Sequence, residues 1–206
     1  MKKIAILIAV FVLMAGGFTS AQEKMDAPIW NVGDKWIYKT AEGKKFSNEV
    51  VKVDDESFVV RMGGSPYLQV FDKKTMNITK WIDSSGTEAP ASPLNVYDFP
   101  VFVGKTWGGR IHASGATRQA GGGPWEYSFK VEAMEEINTA AGSFKAYRLY
   151  CKHSNLAPRA SSPGGWMKFW YSPEAKTWVK REIEKSRYFL GSQHTDTELV
   201  SYQLKK

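Results

Sequence analysis

Apolar and polar residues alternate along much of this chain with a period of two. The clearest run is Trp125-Glu126-Tyr127-Ser128-Phe129-Lys130-Val131-Glu132, with Trp125, Tyr127, Phe129 and Val131 on one side and charge or hydroxyl on the other. A period of two is that of a β-strand buried on one face and solvated on the other. Similar runs predict strands at 35–40, 48–53, 57–62, 67–71, 76–82, 144–153, 166–172, 177–185 and 198–204.

The segments between these runs carry turn chemistry. Asp54-Asp55-Glu56, Gly63-Gly64-Ser65-Pro66 and Asp72-Lys73-Lys74 are short, as hairpins between antiparallel neighbours require. Residues 133–140 can make one helical turn before Gly142, and no longer stretch after the first 21 residues keeps a helical period. Two segments, 84–93 and 154–165, read as long Ser/Gly/Ala/Pro-rich loops, and Gly121-Gly122-Gly123-Pro124 reads as a flexible turn. Val32-Gly33-Asp34-Lys35-Trp36 and Val103-Gly104-Lys105-Thr106-Trp107 share the pattern Val-Gly-x-x-Trp, an echo too short to establish a repeat.

Several strands keep aromatics on both faces, as at 166–171, which implies a curved or doubled sheet. The expected fold is all-β: a strongly curved antiparallel sheet, as an open half-barrel or a β-sandwich, in one domain over 22–206.

The start of the chain sets the compartment. Met1-Lys2-Lys3 is a positive opening, residues 4–14 are unbroken apolar sequence, and small residues lead to Thr19-Ser20-Ala21 before Gln22-Glu23-Lys24. This is the anatomy of a secretory signal peptide over 1–21, cut after Ala21. The apolar run is about half of the ~20 residues a membrane-crossing helix needs, so no stable span is expected after cleavage. No cysteine stands near the cut, so a lipid-anchored start is not expected either. The mature protein is expected to be exported, either periplasmic or secreted.

Charge and cysteine content narrow the partners. The formal charge is +7, and two of those lysines leave with the leader. The lysine doublets 44–45, 73–74 and 205–206 are isolated, unlike the dense runs that neutralise nucleic acid, so no nucleic-acid partner is expected. Cys151 is the sole cysteine, so the fold relies on its core rather than on an internal disulfide.

Catalytic motifs fail one by one. Gly104-Lys105-Thr106 ends like a phosphate-binding loop, but Phe99 stands where its first glycine belongs and Trp107-Gly108-Gly109 follows in place of a helix. There is no Gly-x-Ser-x-Gly elbow and no Ser-x-x-Lys pair. His112, His153 and His194 lie far apart and in no metal-ligand spacing. Cys151 and His153 share a strand face, as a thiolate–imidazole pair would. Tyr147 and Leu149 share it too, which favours a buried apolar role. Glu135-Glu136 and Asp54-Asp55 are adjacent and diverge, while Glu182 and Glu184 lie among Lys180, Lys185 and Arg187. No catalytic residue, metal ligand or cofactor is assigned.

The aromatic residues are the remaining lead. Trp36 and Tyr38 share one strand face, Trp166 and Trp170 share another with Lys168 between them, and Trp178 pairs with Lys180. Aromatic platforms interleaved with cations can stack on sugars or line an apolar cavity with a charged mouth. The alternative is that these rings are core and their lysines reach past them to water. Trp36, Tyr38, Trp166, Lys168, Trp170, Trp178 and Lys180 form the candidate ligand-binding set.

Four segments together resemble an uncharacterised family of exported bacterial all-β proteins: residues 33–38, 99–107, 140–148, and 169–173 with 179–182. The resemblance implies an open, curved sheet similar to the half-barrels of the periplasmic lipoprotein-carrier family, which shield acyl chains inside the curve. Three functions follow as expectations. A carrier of a lipid or other amphipathic ligand predicts an uncovered concave aromatic face. An interaction module docking on an envelope protein or glycan predicts a filled core and aromatics on an outer face. An enzyme with dispersed residues predicts titratable groups meeting in a cleft.

Overall fold

An extended chain must satisfy its backbone amides and carbonyls on neighbouring strands, and here most strands find them in the next strand along the sequence. The structure, a computed structural model, describes residues 23–91, 94–111, 124–156, 164–184 and 195–206. The expected leader, His112, His194, the glycine run at 121–123 and most of the 154–165 loop lie outside the described residues.

The strands are β1 (Lys35–Thr40), β2 (Lys45–Val53), β3 (Ser57–Met62), β4 (Leu68–Asp72), β5 (Ile78–Ile82), β6 (Glu88–Pro90), β7 (Thr106–Ile111), β8 (Trp125–Thr139), β9 (Gly142–Asn155), β10 (Gly164–Ser172), β11 (Thr177–Ile183) and β12 (Thr197–Gln203). They form one antiparallel sheet ordered β6-β5-β4-β3-β2-β1-β12-β11-β10-β9-β8-β7. The chain is therefore two successive meanders, β1–β6 and β7–β12, joined where β1 pairs with β12. β6 and β7 are left as the two edges, so the sheet is curved and open, as the sequence implied.

Two departures have physical causes. Residues 133–139 continue β8 instead of turning into a helix, because β9 supplies a partner for each of them from Ala133↔Arg148 to Thr139↔Gly142. A bulge between Val131 and Ala133 resets the side-chain alternation there, which hides the strand from a period-two reading. β6 lies inside an expected loop, and β7 is absent from the alternating runs, although the Val-Gly-x-x-Trp echo opens a strand at Trp107. One is three residues long and the other holds Gly108-Gly109.

The Val-Gly-x-x-Trp echo marks equivalent places in the two meanders. Gly33 N–H donates to the Val50 carbonyl at 2.8 Å, and Val50 N–H donates back to the Asp34 carbonyl at 2.9 Å. Gly104 donates to Val131 at 2.8 Å, and Val131 donates to Lys105 at 2.9 Å. Both glycines are left-handed, with φ of 87° and 91°, a region that favours glycine. Val50 and Val131 are fully buried, and each is followed at once by a bulge, between Val50 and Lys52 and between Val131 and Ala133. Further bulges match at Val70/Phe71 and Trp170/Tyr171. The turns after them hold Met76 and Lys176 at φ of 55° and 56°. The meanders correspond position for position in register, although their sequences differ nearly everywhere.

Each meander has its own core on the inner face. In the second, Tyr127, Phe129, Val131, Tyr147, Leu149, Cys151, Met167 and Phe169 are covered by the chain's own Met25, Leu94, Val96, Tyr97, Phe99 and Val101. In the first, Trp36, Tyr38, Val50, Phe58, Val60 and Leu199 are covered by Trp30 and by the β10–β11 turn at Ala175. Trp30 packs on Trp36, Phe58 and Phe71 at 5.2, 5.3 and 5.5 Å between ring centroids. β9 serves both cores by switching its buried face. Phe144 and Ala146 enter the first, and Tyr147, Leu149 and Cys151 enter the second. This crossing gives the open sheet a sandwich-like interior.

Trp36 is the test of this packing. Trp36→Ala removes a fully buried indole and the bond from its Nε1 to the Ala175 carbonyl, and should lower unfolding free energy by about 3–5 kcal/mol. Urea denaturation followed by tryptophan fluorescence reads this out. A loss below about 1 kcal/mol would remove Trp36 from the core.

Candidate docking face

The structure divides the seven nominated residues. Trp36 and Tyr38 are 1% and 0% exposed, with Tyr38 Oη bonded to Thr177 Oγ1 at 2.8 Å and to the Trp178 carbonyl at 3.2 Å. Burial raises the Tyr38 phenol well above its ordinary pKa. Trp178 stacks on Tyr38 at 3.9 Å and is covered by the Arg181 guanidinium. Trp170 is 5% exposed, and its indole donates to Glu135 Oε1 at 2.6 Å. Lys180 lies over the Trp170 ring at 4.9 Å and is paired with Glu182 at 2.7 Å. These five side chains are engaged within the fold. Trp166 and Lys168 remain half-buried on a surface, with Lys168 Nζ 5.2 Å from the centre of the Trp166 ring.

Register shows what stands beside them. Residues directly opposite on adjacent strands project to the same side of a sheet. One row across β11, β10, β9, β8 and β7 reads Glu182, Lys168, Tyr150, Lys130, Thr106. The next reads Trp166, Lys152, Ser128, Gly108. The intervening rows hold buried Leu149, Cys151, Met167 and Phe129, so these two rows lie on the outer face. Lys130 and Lys152 are exposed and Tyr150 is half-buried. Beside them an open cleft of about 520 Å³ is lined by Gly109, Arg110, Glu126, Tyr127, Ser128, Lys152 and Ser154.

The electrostatics of this patch are unbalanced. Glu126 is held by Arg110 at 3.2 Å, Glu132 and Glu135 by Arg148 at 3.0 and 2.9 Å, and Glu182 by Lys180. This leaves Glu184, bonded through its N–H to the Trp166 carbonyl at 3.0 Å, as the one carboxylate beside Trp166 without an ion pair among the described residues. Every acidic residue of the chain is described, and among the described residues Lys130, Lys152 and Lys168 have no ion-pair partner. The polar tips of the rings are also uncommitted. Trp30, Trp36, Trp107 and Trp170 each donate their indole N–H inside the molecule. Trp166 Nε1 and Tyr150 Oη have no hydrogen-bond partner among the described residues.

The first meander supplies an internal control. Its corresponding rows read Lys35, Glu49, Arg61, Leu68 and Ile37, Ser47. Charges alternate there, and Lys35 pairs with Glu49 at 3.5 Å. The same sheet geometry thus sets Glu49 between Lys35 and Arg61 in one half and an aromatic ring, Tyr150, between Lys168 and Lys130 in the other. Lys130, Tyr150 and Lys152 escaped the sequence reading. Each sits on the solvated face of an alternating strand, but their meeting with Trp166 depends on cross-strand register.

Cys151 and His153 lie on the opposite, inner face. Burial pushes the thiol up to about 12 and the imidazole down to about 4. Both are neutral at pH 7, so they do not form the thiolate–imidazolium pair that nucleophilic chemistry needs.

No protein-family model matches the chain, and no curated protein matches it. Among solved structures, it is similar to the hypothetical lipoprotein YmcC from Escherichia coli, with 13% identity, TM-score 0.49, and 88% of this chain and 90% of that one covered. It is also similar to a provisionally named lipoprotein from Parabacteroides distasonis, with 15% identity, TM-score 0.45, and 88% and 100% covered. A provisionally named exported protein with YmcC-like fold from Bacteroides fragilis gives 14% identity, TM-score 0.42, and 88% and 100% covered.

Burial of the inner face is directly measurable at its single thiol. Native protein should leave Cys151 unlabelled by a charged disulfide reagent over minutes, and protein unfolded in guanidinium should release one equivalent. Rapid native labelling would mean that the cover over β9 opens.

Proposed function

We propose that this chain is an exported envelope protein that binds polysaccharide on the outer face of its second meander. The observation that carries this reading is the grouping of half-buried Trp166 and Tyr150 with unpaired Lys130, Lys152 and Lys168, beside an open depression. Aromatic faces stack on the C–H faces of pyranose rings, and the serines and the Arg110–Glu126 pair offer donors and acceptors to hydroxyl groups. The patch contains no large aliphatic side chain of the kind a membrane-inserting surface would need. Export rests on the signal-like leader.

The carrier reading requires a concave aromatic face open to a ligand. Here Met25, Trp30, Leu94, Val96, Tyr97, Phe99 and Val101 occupy that side, which speaks against a carried ligand there. The site is backed by Phe129, Leu149, Cys151 and Met167, while Trp36, Tyr38 and Trp170 belong to the other core.

Trp166→Ala should weaken binding to polysaccharide extracted from the producing cell envelope at least tenfold, with its urea midpoint close to that of the parent. Affinity electrophoresis in gels containing the polysaccharide measures this. Unchanged mobility shifts in a folded Trp166→Ala protein would contradict the proposal.

A further inference from the structure

The polysaccharide reading leaves the charge of the ligand open, and the arrangement of lysines addresses it. Lys168 and Lys130 flank Tyr150 on its two neighbouring strands, and Lys152 stands beside Trp166 in the adjacent row. Strand spacing places the Lys168 and Lys130 backbones roughly 10 Å apart, about the length of a disaccharide along a glycan chain. Three ammonium groups held this close repel one another. Elsewhere on the sheet such a cost is removed by a neighbouring carboxylate, as at Lys35–Glu49, Lys39–Glu198 and Lys80–Glu88. In this patch Glu126, Glu132, Glu135 and Glu182 are taken by Arg110, Arg148 and Lys180. Glu184, whose backbone N–H donates to the Trp166 carbonyl, is the one nearby carboxylate without an ion pair among the described residues, against three such lysines.

We infer that the ligand is an anionic glycan, bearing a carboxylate or phosphate on its repeating sugars, with Lys130, Lys152 and Lys168 receiving the charges and Trp166 and Tyr150 stacking on the rings. This inference rests on the polysaccharide reading and deepens it. A neutral glycan would leave the three cations uncompensated in the complex. An anionic one neutralises them without forming any new fold contact. Because the lysines are at least partly solvated, salt screens the attraction, and affinity falls as ionic strength rises.

The test uses the mature protein with polygalacturonate, the same polymer fully methyl-esterified, and dextran phosphate, followed by titration calorimetry at low and moderate salt. The expected result is binding to polygalacturonate or dextran phosphate at least tenfold tighter than to the ester. The anionic preference should be lost in Lys130→Gln/Lys152→Gln/Lys168→Gln and retained in the charge-matched control Lys44→Gln/Lys45→Gln/Lys73→Gln. Whichever anionic polymer binds more tightly identifies the charged group. Equal affinity for acid and ester, both lost in Trp166→Ala, would overturn the anionic inference and leave the polysaccharide reading standing. Equal loss in both triple variants would also overturn it, since net charge alone would then account for binding. Binding insensitive to Trp166→Ala would overturn the polysaccharide reading itself.

Discussion

Two reciprocal backbone hydrogen bonds set up this molecule, and it uses them twice. Gly33 and Asp34 clasp Val50 at the entry to the first meander, and Gly104 and Lys105 clasp Val131 at the entry to the second. Side chains alternate faces along a strand, so a slip of one residue would turn every buried group outward. The clasp prevents that slip at the first strand pair. It places the fully buried Val50 and Val131 inward, and each later hairpin inherits the register. The matching bulges and the left-handed Met76 and Lys176 show how far this shared frame extends.

A frame used twice allows the two halves to be compared face by face. On the inside they agree: Trp36 corresponds to Trp107, Val60 to Leu149 and Phe58 to Tyr147, all apolar or aromatic. Both cores are roofed by the segment just before the clasp, through Trp30 in one and residues 94–101 in the other. On the outside they diverge. The first half balances Lys35 and Glu49 within the row, whereas the second exposes lysines around Tyr150 and beside Trp166. Stability requires the inner agreement and not the outer difference, so the difference is where binding is sought.

Strand existence was legible because period-two alternation is a local signal. β1 and β3 fall where the pattern puts them, and β8 alternates without a miss through Val131. The pattern failed where a bulge shifted the phase, as after Val131, and where the strand was short or glycine-rich, as in β6 and β7. The candidate site was half legible. Trp166 and Lys168 are neighbours on one strand and could be paired by spacing. Tyr150, Lys152 and Lys130 come from two other strands, and only cross-strand register unites them. Trp36, Tyr38 and Trp170 carry the same composition signal but are buried, because a large indole or phenol suits a core as well as a surface when its polar tip finds a carbonyl, hydroxyl or carboxylate.

The central claim is that the inner face is filled by the chain itself and that ligand meets the outer face at Trp166. The indole N–H resonances of the tryptophans in a ¹⁵N–¹H spectrum, recorded during titration with oligogalacturonate, test it most directly. The account predicts that the Trp166 resonance moves in a saturable way, together with the amides of Tyr150 and Ser128, while Trp30 and Trp36 stay in place. Movement of Trp30, Tyr97 and Phe99 with a stationary Trp166 would contradict it and put the ligand inside the sheet.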